Sequence, residues 1–183
     1  MILLECKNFA VEIGDKQIFE PIELVVRASE CHQLLGPNGS GKTACLKAFT
    51  GLFAYNGYLT ISEHSYLGHN PGLYNELTSH EMIEWWQTLI GRQIKHNFRN
   101  QYISSLSAGQ KQQLAWLRLE HENNNLWLLD EALTNLDPAN KEQKLLLIKK
   151  HLNTGGSIIM TSHMPEYWQD IITHSKLIKG ILE

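Results

Sequence analysis

Gly36, Pro37, Asn38, Gly39, Ser40, Gly41, Lys42 and Thr43 follow one another without interruption. Three glycines ahead of a lysine and a hydroxyl residue give a loop whose backbone N–H groups can turn inward on phosphate oxygens. The loop follows the apolar run ending at Leu35 and opens a helical pattern. The N-terminus of that helix adds about half a positive charge where the phosphates would lie. Lys42 is the candidate for reaching the β- and γ-phosphates, and the Thr43 hydroxyl is the candidate ligand for Mg²⁺. A second apolar run, Leu126-Trp-Leu-Leu129, ends in Asp130-Glu131. A strand of this kind delivers carboxylates to the carboxyl edge of a sheet, Asp130 toward a metal ion and Glu131 toward the attacking water as general base. Two solvated carboxylates after a core strand would look the same in isolation. Their company, the glycine-lysine loop, favours the chemical reading, with ATP and Mg²⁺ as the cofactors.

The elements needed to position these groups are legible in outline. Residues 2–4, 22–26 and 31–35 read as short strands, and 43–50 as a helix stopped by Gly51. Thr78 with Glu81 three residues on forms a capping box, opening a helix that carries Met82, Ile83, Trp86 and Leu89 and ends at Gly91. A second helix starts near Ser107, and a third runs over 138–152 with Pro138 in its first turn. Leu126–Leu129 and Ser157–Met160 lack alternation, as expected of parallel strands covered on both faces. Trp85 and Trp86 are adjacent helical positions and point in different directions, so one of them is expected to be exposed.

Leu106-Ser-Ala-Gly-Gln110, lying between the glycine-lysine loop and Asp130-Glu131, resembles the signature motif of ATP-binding cassette proteins. Ala108 stands where the family usually has a second glycine. The resemblance extends from about Leu3 to His163. It implies an α/β P-loop NTPase fold with a RecA-like parallel-sheet core, an antiparallel β subdomain and an inserted helical subdomain. The whole chain, 1–183, would form one cassette, with its core in 1–70 and 124–183 and the helical part in about 71–123. It also implies that Ser107 and the backbone of Gly109 bind the γ-phosphate held by a second copy, so that a homodimer of cassettes closes over ATP. His163 matches the switch histidine beside the γ-phosphate and the base. Leu136-Asp137 matches the loop that communicates across the dimer. Asn135 replaces a smaller residue there, and Ala132 replaces the proline usual after the base. His69 stands where a glutamine usually contacts Mg²⁺. Ile13 stands where an aromatic ring usually stacks on adenine, so weak base selectivity is expected.

Within this family, Tyr66-Leu-Gly-His-Asn-Pro-Gly-Leu-Tyr-Asn-Glu-Leu-Thr78 is similar to the ATP-binding subunits of cytochrome c maturation, the CcmA-like group. That likeness implies a haem-handling complex in which partner transmembrane permease subunits are moved by ATP-driven closure. The chain would then sit peripherally on the cytoplasmic side of the inner membrane, or on the matrix side in an organelle. An ATPase subunit for another substrate and a soluble ATP-dependent dimerising module are the competing readings.

Composition bounds the rest. A chain of 183 residues with net charge -3 is sized for one domain and shows no basic face for a nucleic acid. Cys6, Cys31 and Cys45 are odd in number and widely spaced, which reads as reduced thiols. No run of about twenty apolar residues is present, so no direct membrane insertion is expected. His80-Glu81 begins like a zinc-protease motif, but Glu84 occupies the place of its second histidine. No CxxCH haem-attachment motif occurs.

Overall fold

Two sheets, set by two kinds of strand, frame the molecule; the computed structural model describes residues 1–14 and 16–181. The antiparallel sheet is built on β1 (Ile2–Ile13), which pairs with β2 (Lys16–Gln17), β3 (Ile22–Arg27) and β5 (Tyr55–Ile61). The second sheet is parallel throughout. Its strands are β4 (Cys31–Leu35), β6 (His64–Leu67), β7 (Leu126–Asp130), β8 (Ser157–Thr161) and β9 (His174–Leu177), in the order β6-β7-β8-β4-β9. Among the described residues four α-helices join them: α1 (Lys42–Phe49), α2 (Ser79–Ile90), α3 (Ala108–His121) and α4 (Pro138–Asn153). No described helix is long and apolar enough to cross a membrane.

Every residue of β7 and β8 is buried, because each face of the parallel sheet has its own apolar layer. Leu126, Leu128 and Ile159 face α1 and the antiparallel sheet, where they join Phe9, Leu46 and Phe49. Trp127, Leu129, Ile158 and Met160 face the other way, onto Trp116 of α3 and Ile148 of α4. A third apolar cluster lies between α2 and α3, where Met82, Ile83 and Trp86 meet Leu114. The expected P-loop architecture, with parallel core, antiparallel sheet and helical insertion, is the one observed.

Local signals explain the helix limits. Thr78 accepts from the Glu81 backbone and Glu81 returns the bond, closing the capping box, and Gly91 ends α2 in the left-handed region. Ser107 and Gln110 form a second capping box on α3. Asp137 caps α4 by accepting from the Asn140 backbone N–H, and that bond leads the causes holding its carboxyl below the usual range.

Some elements differ from the sequence reading. β1 extends over twelve residues rather than three, because a register shift between Cys6 and Phe9, with Asn8 at φ 49°, breaks its alternation. β5 and β9 went unread; both are largely exposed and so lack an apolar pattern. Leu89 is not a core residue of α2: it is 66% exposed. The buried stripe runs through Met82, Ile83, Trp86 and the half-buried Ile90, and at about 100° per residue Leu89 falls past its edge. Trp86 is buried and Trp85 is exposed, as adjacent positions require.

Leu128 and Leu89 therefore make a matched test of the layering. Leu128→Ala should cost about 2–5 kcal/mol of unfolding free energy. Leu89→Ala should stay within about 0.5 kcal/mol of the parent in urea denaturation.

Candidate nucleotide site

Parallel strands present their carboxyl ends on one edge of the sheet, and here four neighbouring strands each deliver a candidate group. β4 runs into the glycine-lysine loop, β6 into His69, β7 ends at Asp130 before Glu131, and β8 ends at Thr161 before His163. A concavity of about 620 Å³ at this edge is lined by Asn38, Gly39, Lys42, Thr43, Asp130 and His163, among others.

The loop packs tightly enough to require its glycines. A Cβ on Gly41 would come within 2.8 Å of Ile18 and Phe19, and its φ of 96° is disfavoured for other residues. A Cβ on Gly36 would lie 2.6 Å from the Ile178 carbonyl. The Lys42 ammonium donates to the carbonyls of Gly36 at 2.8 Å and Pro37 at 2.9 Å, so it spans the loop that it terminates. α1 has no acidic residue in its first turn to offset its positive end.

Asp130 is 1% exposed. Its Oδ1 accepts from Thr161 Oγ1 at 2.6 Å and from Thr43 Oγ1 at 3.2 Å. Its Oδ2 is buried with no hydrogen-bond partner among the described residues. A buried, half-satisfied carboxylate is costly unless a positive group meets it. The donor set, one carboxylate oxygen and one threonine hydroxyl, is the hard oxygen chemistry that suits Mg²⁺. Tyr66 also faces this carboxylate; burial first, then the neighbouring charge of Asp130, pushes its hydroxyl pKa up.

Glu131 stands beside it in a left-handed conformation, φ 53°. Its N–H donates to the Thr161 carbonyl at 3.2 Å and hydroxyl at 3.1 Å, which fixes the turn. This turn directs the side chain between two imidazoles. His163 Nε2 is 3.1 Å from Oε1, and His69 Nδ1 is 3.6 Å from Oε2. The structure thus brings Glu131, His163 and His69 together, although 94 residues separate the two histidines.

Ser107 and Gly109 lie elsewhere, on the exposed end of α3 and outside the lining of the concavity. A Cβ on Gly109 would be 2.7 Å from the Asn135 carbonyl, so the α3 end and the loop before α4 are in close contact. Asn135 adopts φ 65°, a region that asparagine tolerates better than most residues. Ile13 is half exposed at the end of β1, paired with Lys16 and away from the concavity; Phe53 contributes apolar surface there.

Sequence reasoning assigned no role to three groups that hold this site. Thr161 lies beside a named histidine, yet its bonds depend on the pairing of Asp130 with Thr161 across β7 and β8. Gln112 Nε2 and Trp116 Nε1 both donate to the Ala132 carbonyl at 2.9 Å, tying α3 to the turn after Glu131. Their helical spacing of four was the one available signal.

Known proteins sharpen the identification. The profile of the ABC transporter family matches residues 19–134, more than half of the chain. The chain belongs to the ABC transporter family. A cytochrome c biogenesis ATP-binding export protein CcmA from Hahella chejuensis is 32% identical, over 88% of this chain and 89% of that protein. The CcmA of Shewanella frigidimarina is 28% identical over 100% and 94%. Among solved structures, an ATP-binding subunit of an ABC transporter superposes with TM-score 0.87 at 21% identity, covering 97% of this chain and 86% of that one. An ATP-binding cassette dimer in a post-hydrolysis state with ADP and Pi superposes at 0.80 and 19%, covering 97% and 94%. This ABC ATPase is the ATP-binding subunit of a transporter, and its activity is ATP hydrolysis coupled to transport.

Thr161→Val keeps the shape of the strand end while removing one donor to Asp130 and one acceptor for Glu131. It should lower stability by about 1–3 kcal/mol in denaturant unfolding. A change below about 0.5 kcal/mol would show that these two bonds do not hold the turn.

Proposed function

We propose that the chain drives a haem-handling membrane complex of c-type cytochrome formation by closing as a homodimer over two MgATP. The observation that carries the catalytic part is Glu131, bracketed by His69 and His163 beside the buried Asp130–Thr43 pair. The CcmA relatives and the stretch from Tyr66 to Thr78 support the haem assignment.

In this reading the loop of residues 36–41 and Lys42 hold the triphosphate. Thr43 and Asp130 hold Mg²⁺, which when bound offsets charge on the phosphate oxygens. Glu131 accepts a proton from the attacking water, with its carboxylate held at one oxygen by His163. Residues 71–123 form the helical unit that carries Ser107 and the Gly109 backbone to the nucleotide of the second copy. Their position outside their own concavity supports that role. A single copy then surrounds the γ-phosphate on one side only, and transition-state charge is fully met only on closure.

A groove of about 960 Å³ opens next to the concavity and shares Thr43, Asp130 and Glu131 with it. Its far wall carries Tyr74 and Trp85, in edge-to-face contact at 5.7 Å, both exposed. His69 lines the groove and also faces Glu131, so a permease segment seated there would act on the base through one side chain. In this reading the chain sits peripherally on the cytoplasmic side of the inner membrane, or on the matrix side in an organelle.

Glu131→Gln should retain ATP binding, lower turnover by about 10²–10⁴-fold and give an ATP-dependent dimer on gel filtration. Unchanged steady-state hydrolysis would remove Glu131 from the role of base. In the native host, Lys42→Ala should abolish c-type cytochromes on haem-stained gels while the protein still co-purifies with detergent-solubilised membrane subunits. Normal cytochrome c levels would overturn the haem assignment and leave the ATPase reading standing.

A further inference from the structure

The opposite edge of the parallel sheet holds a cluster that the nucleotide chemistry does not use. His32 in β4 and His174 in β9 are direct partners in the parallel register, with rings stacked at 4.6 Å and 13°. Glu30 precedes β4, and its Oε2 accepts from His32 Nε2 at 2.9 Å. One ligand atom from each of Glu30, His32 and His174 lies within 4.8 Å of the other two.

The hydrogen bonds around the cluster fix which nitrogen of His174 is free. Thr173 Oγ1 donates its one proton to the Cys31 carbonyl at 3.0 Å and accepts from the Cys31 N–H at 3.0 Å. Toward His174 Nδ1, 2.9 Å away, it can therefore only accept, so that nitrogen carries the ring proton. The lone pair of the neutral ring is on Nε2. Metal-binding histidines are held in this way, by an outer hydrogen bond from the other ring nitrogen.

The other two groups are also disposed to bind. His32 is 4% exposed, and burial is the main cause keeping its pKa below the usual imidazole range, so the ring is neutral near pH 7. Burial acts to raise Glu30, but bonds from the Arg27 N–H and His32 outweigh it and hold the carboxyl below its ordinary range. A carboxylate and two imidazoles thus meet at one point, with His32 buried, Glu30 half-buried and His174 exposed.

We propose that Glu30, His32 and His174 form a binding site for a divalent transition metal of the Zn²⁺ class. Two imidazole nitrogens and one carboxylate select such an ion over Mg²⁺ or Ca²⁺, which prefer oxygen ligands throughout. With metal–ligand bonds of about 2.0–2.2 Å, tetrahedral ligand atoms lie roughly 3.4 Å apart, so the Glu30–His32 pair, now at 2.9 Å, opens slightly to admit the ion. His174 is exposed, and its Nδ1 bond to Thr173 leaves Nε2 as its ligand atom. The ion takes His32 Nε2 once its proton has moved to Nδ1, and water completes the coordination. Such an ion would clip edge strand β9 to β4. That pairing supports the phosphate loop, because Ile178 N–H donates to the Leu35 carbonyl at 2.7 Å and the Ile178 carbonyl packs on Gly36. His32 precedes Gly36 by four residues, roughly 13 Å along a strand, so the clip would act on the loop's support and not on the nucleotide.

The test uses the full chain stripped with a chelator and titrated with Zn²⁺ against a chromophoric competitor. Wild type should bind one more equivalent than His174→Ala, and Glu30→Gln should weaken that equivalent by at least about tenfold. Zn²⁺ should raise the melting temperature of wild type but not of His174→Ala, whose metal-free melting should match wild type because the side chain is exposed; Mg²⁺ and Ca²⁺ should do neither. Equal stoichiometry and affinity in wild type and both variants, or no Zn²⁺ uptake by wild type, would overturn the site.

Discussion

A carboxylate buried at the end of a central strand is the constraint around which this protein is built. Asp130 cannot be left unpaired at 1% exposure without a cost of several kcal/mol, so its neighbours are fixed. One oxygen is met by hydroxyls from two different elements, Thr43 at the start of α1 and Thr161 at the end of β8. The loop before α1, the end of β7 and the end of β8 are thereby held to one another. The second oxygen has no hydrogen-bond partner among the described residues, which leaves the electrostatic demand that a cation would meet. The fold supplies the setting because parallel strands align their carboxyl ends, and β6, β7, β8 and β4 are adjacent in the sheet.

Chain direction after Asp130 matters as much as its burial. Glu131 takes a left-handed conformation, unusual for a residue with a side chain and typical of sites where strain is kept for use. The two bonds from its N–H to Thr161 hold that turn on one side. On the other, the Ala132 carbonyl is fixed by Gln112 and Trp116 of α3. Trp116 and Gln112 are themselves buried, so the helix that begins at Ser107 is joined to the carboxylate turn by side chains with little freedom to adjust.

What could be read from sequence was what the chain writes locally. The phosphate loop, the Asp130-Glu131 pair and the Thr78–Glu81 capping box each lie within a few consecutive residues; the structure forms that box, and also a second one at Ser107–Gln110 that the sequence reading does not include. Family resemblance puts His163 beside Glu131 but His69 at Mg²⁺; the approach of His69 to Glu131 is seen only in the structure, since nothing local links residues 69, 131 and 163. The contacts that Thr161, Tyr66 and the donors to Ala132 make are not legible in sequence because they arise from strand register and helix docking. Leu89 was misread because apolar spacing alone does not tell how wide a buried stripe is. β1 was underestimated because a shift at Asn8 interrupts its alternation, and β9 because an exposed edge strand has no apolar signal.

The close contact of Gly109 with Asn135 bears on how the two ends of the molecule can be coupled. An added Cβ would lie 2.7 Å from the Asn135 carbonyl, and Asn135 sits only four residues beyond Glu131. Asn135 is itself held left-handed, between the carboxylate turn and the cap of α4 at Asp137. Gly109 is half-buried and Asn135 exposed, so this contact lies at the surface, whereas Trp116 and Gln112 form a buried link. A displacement of the α3 end can reach the segment between Glu131 and α4 through the first, and the Ala132 carbonyl through the second. Both routes end beside Glu131. A group pressing on the Ser107 end of α3 from outside would therefore change the position of the carboxylate, even though Ser107 does not itself line the concavity.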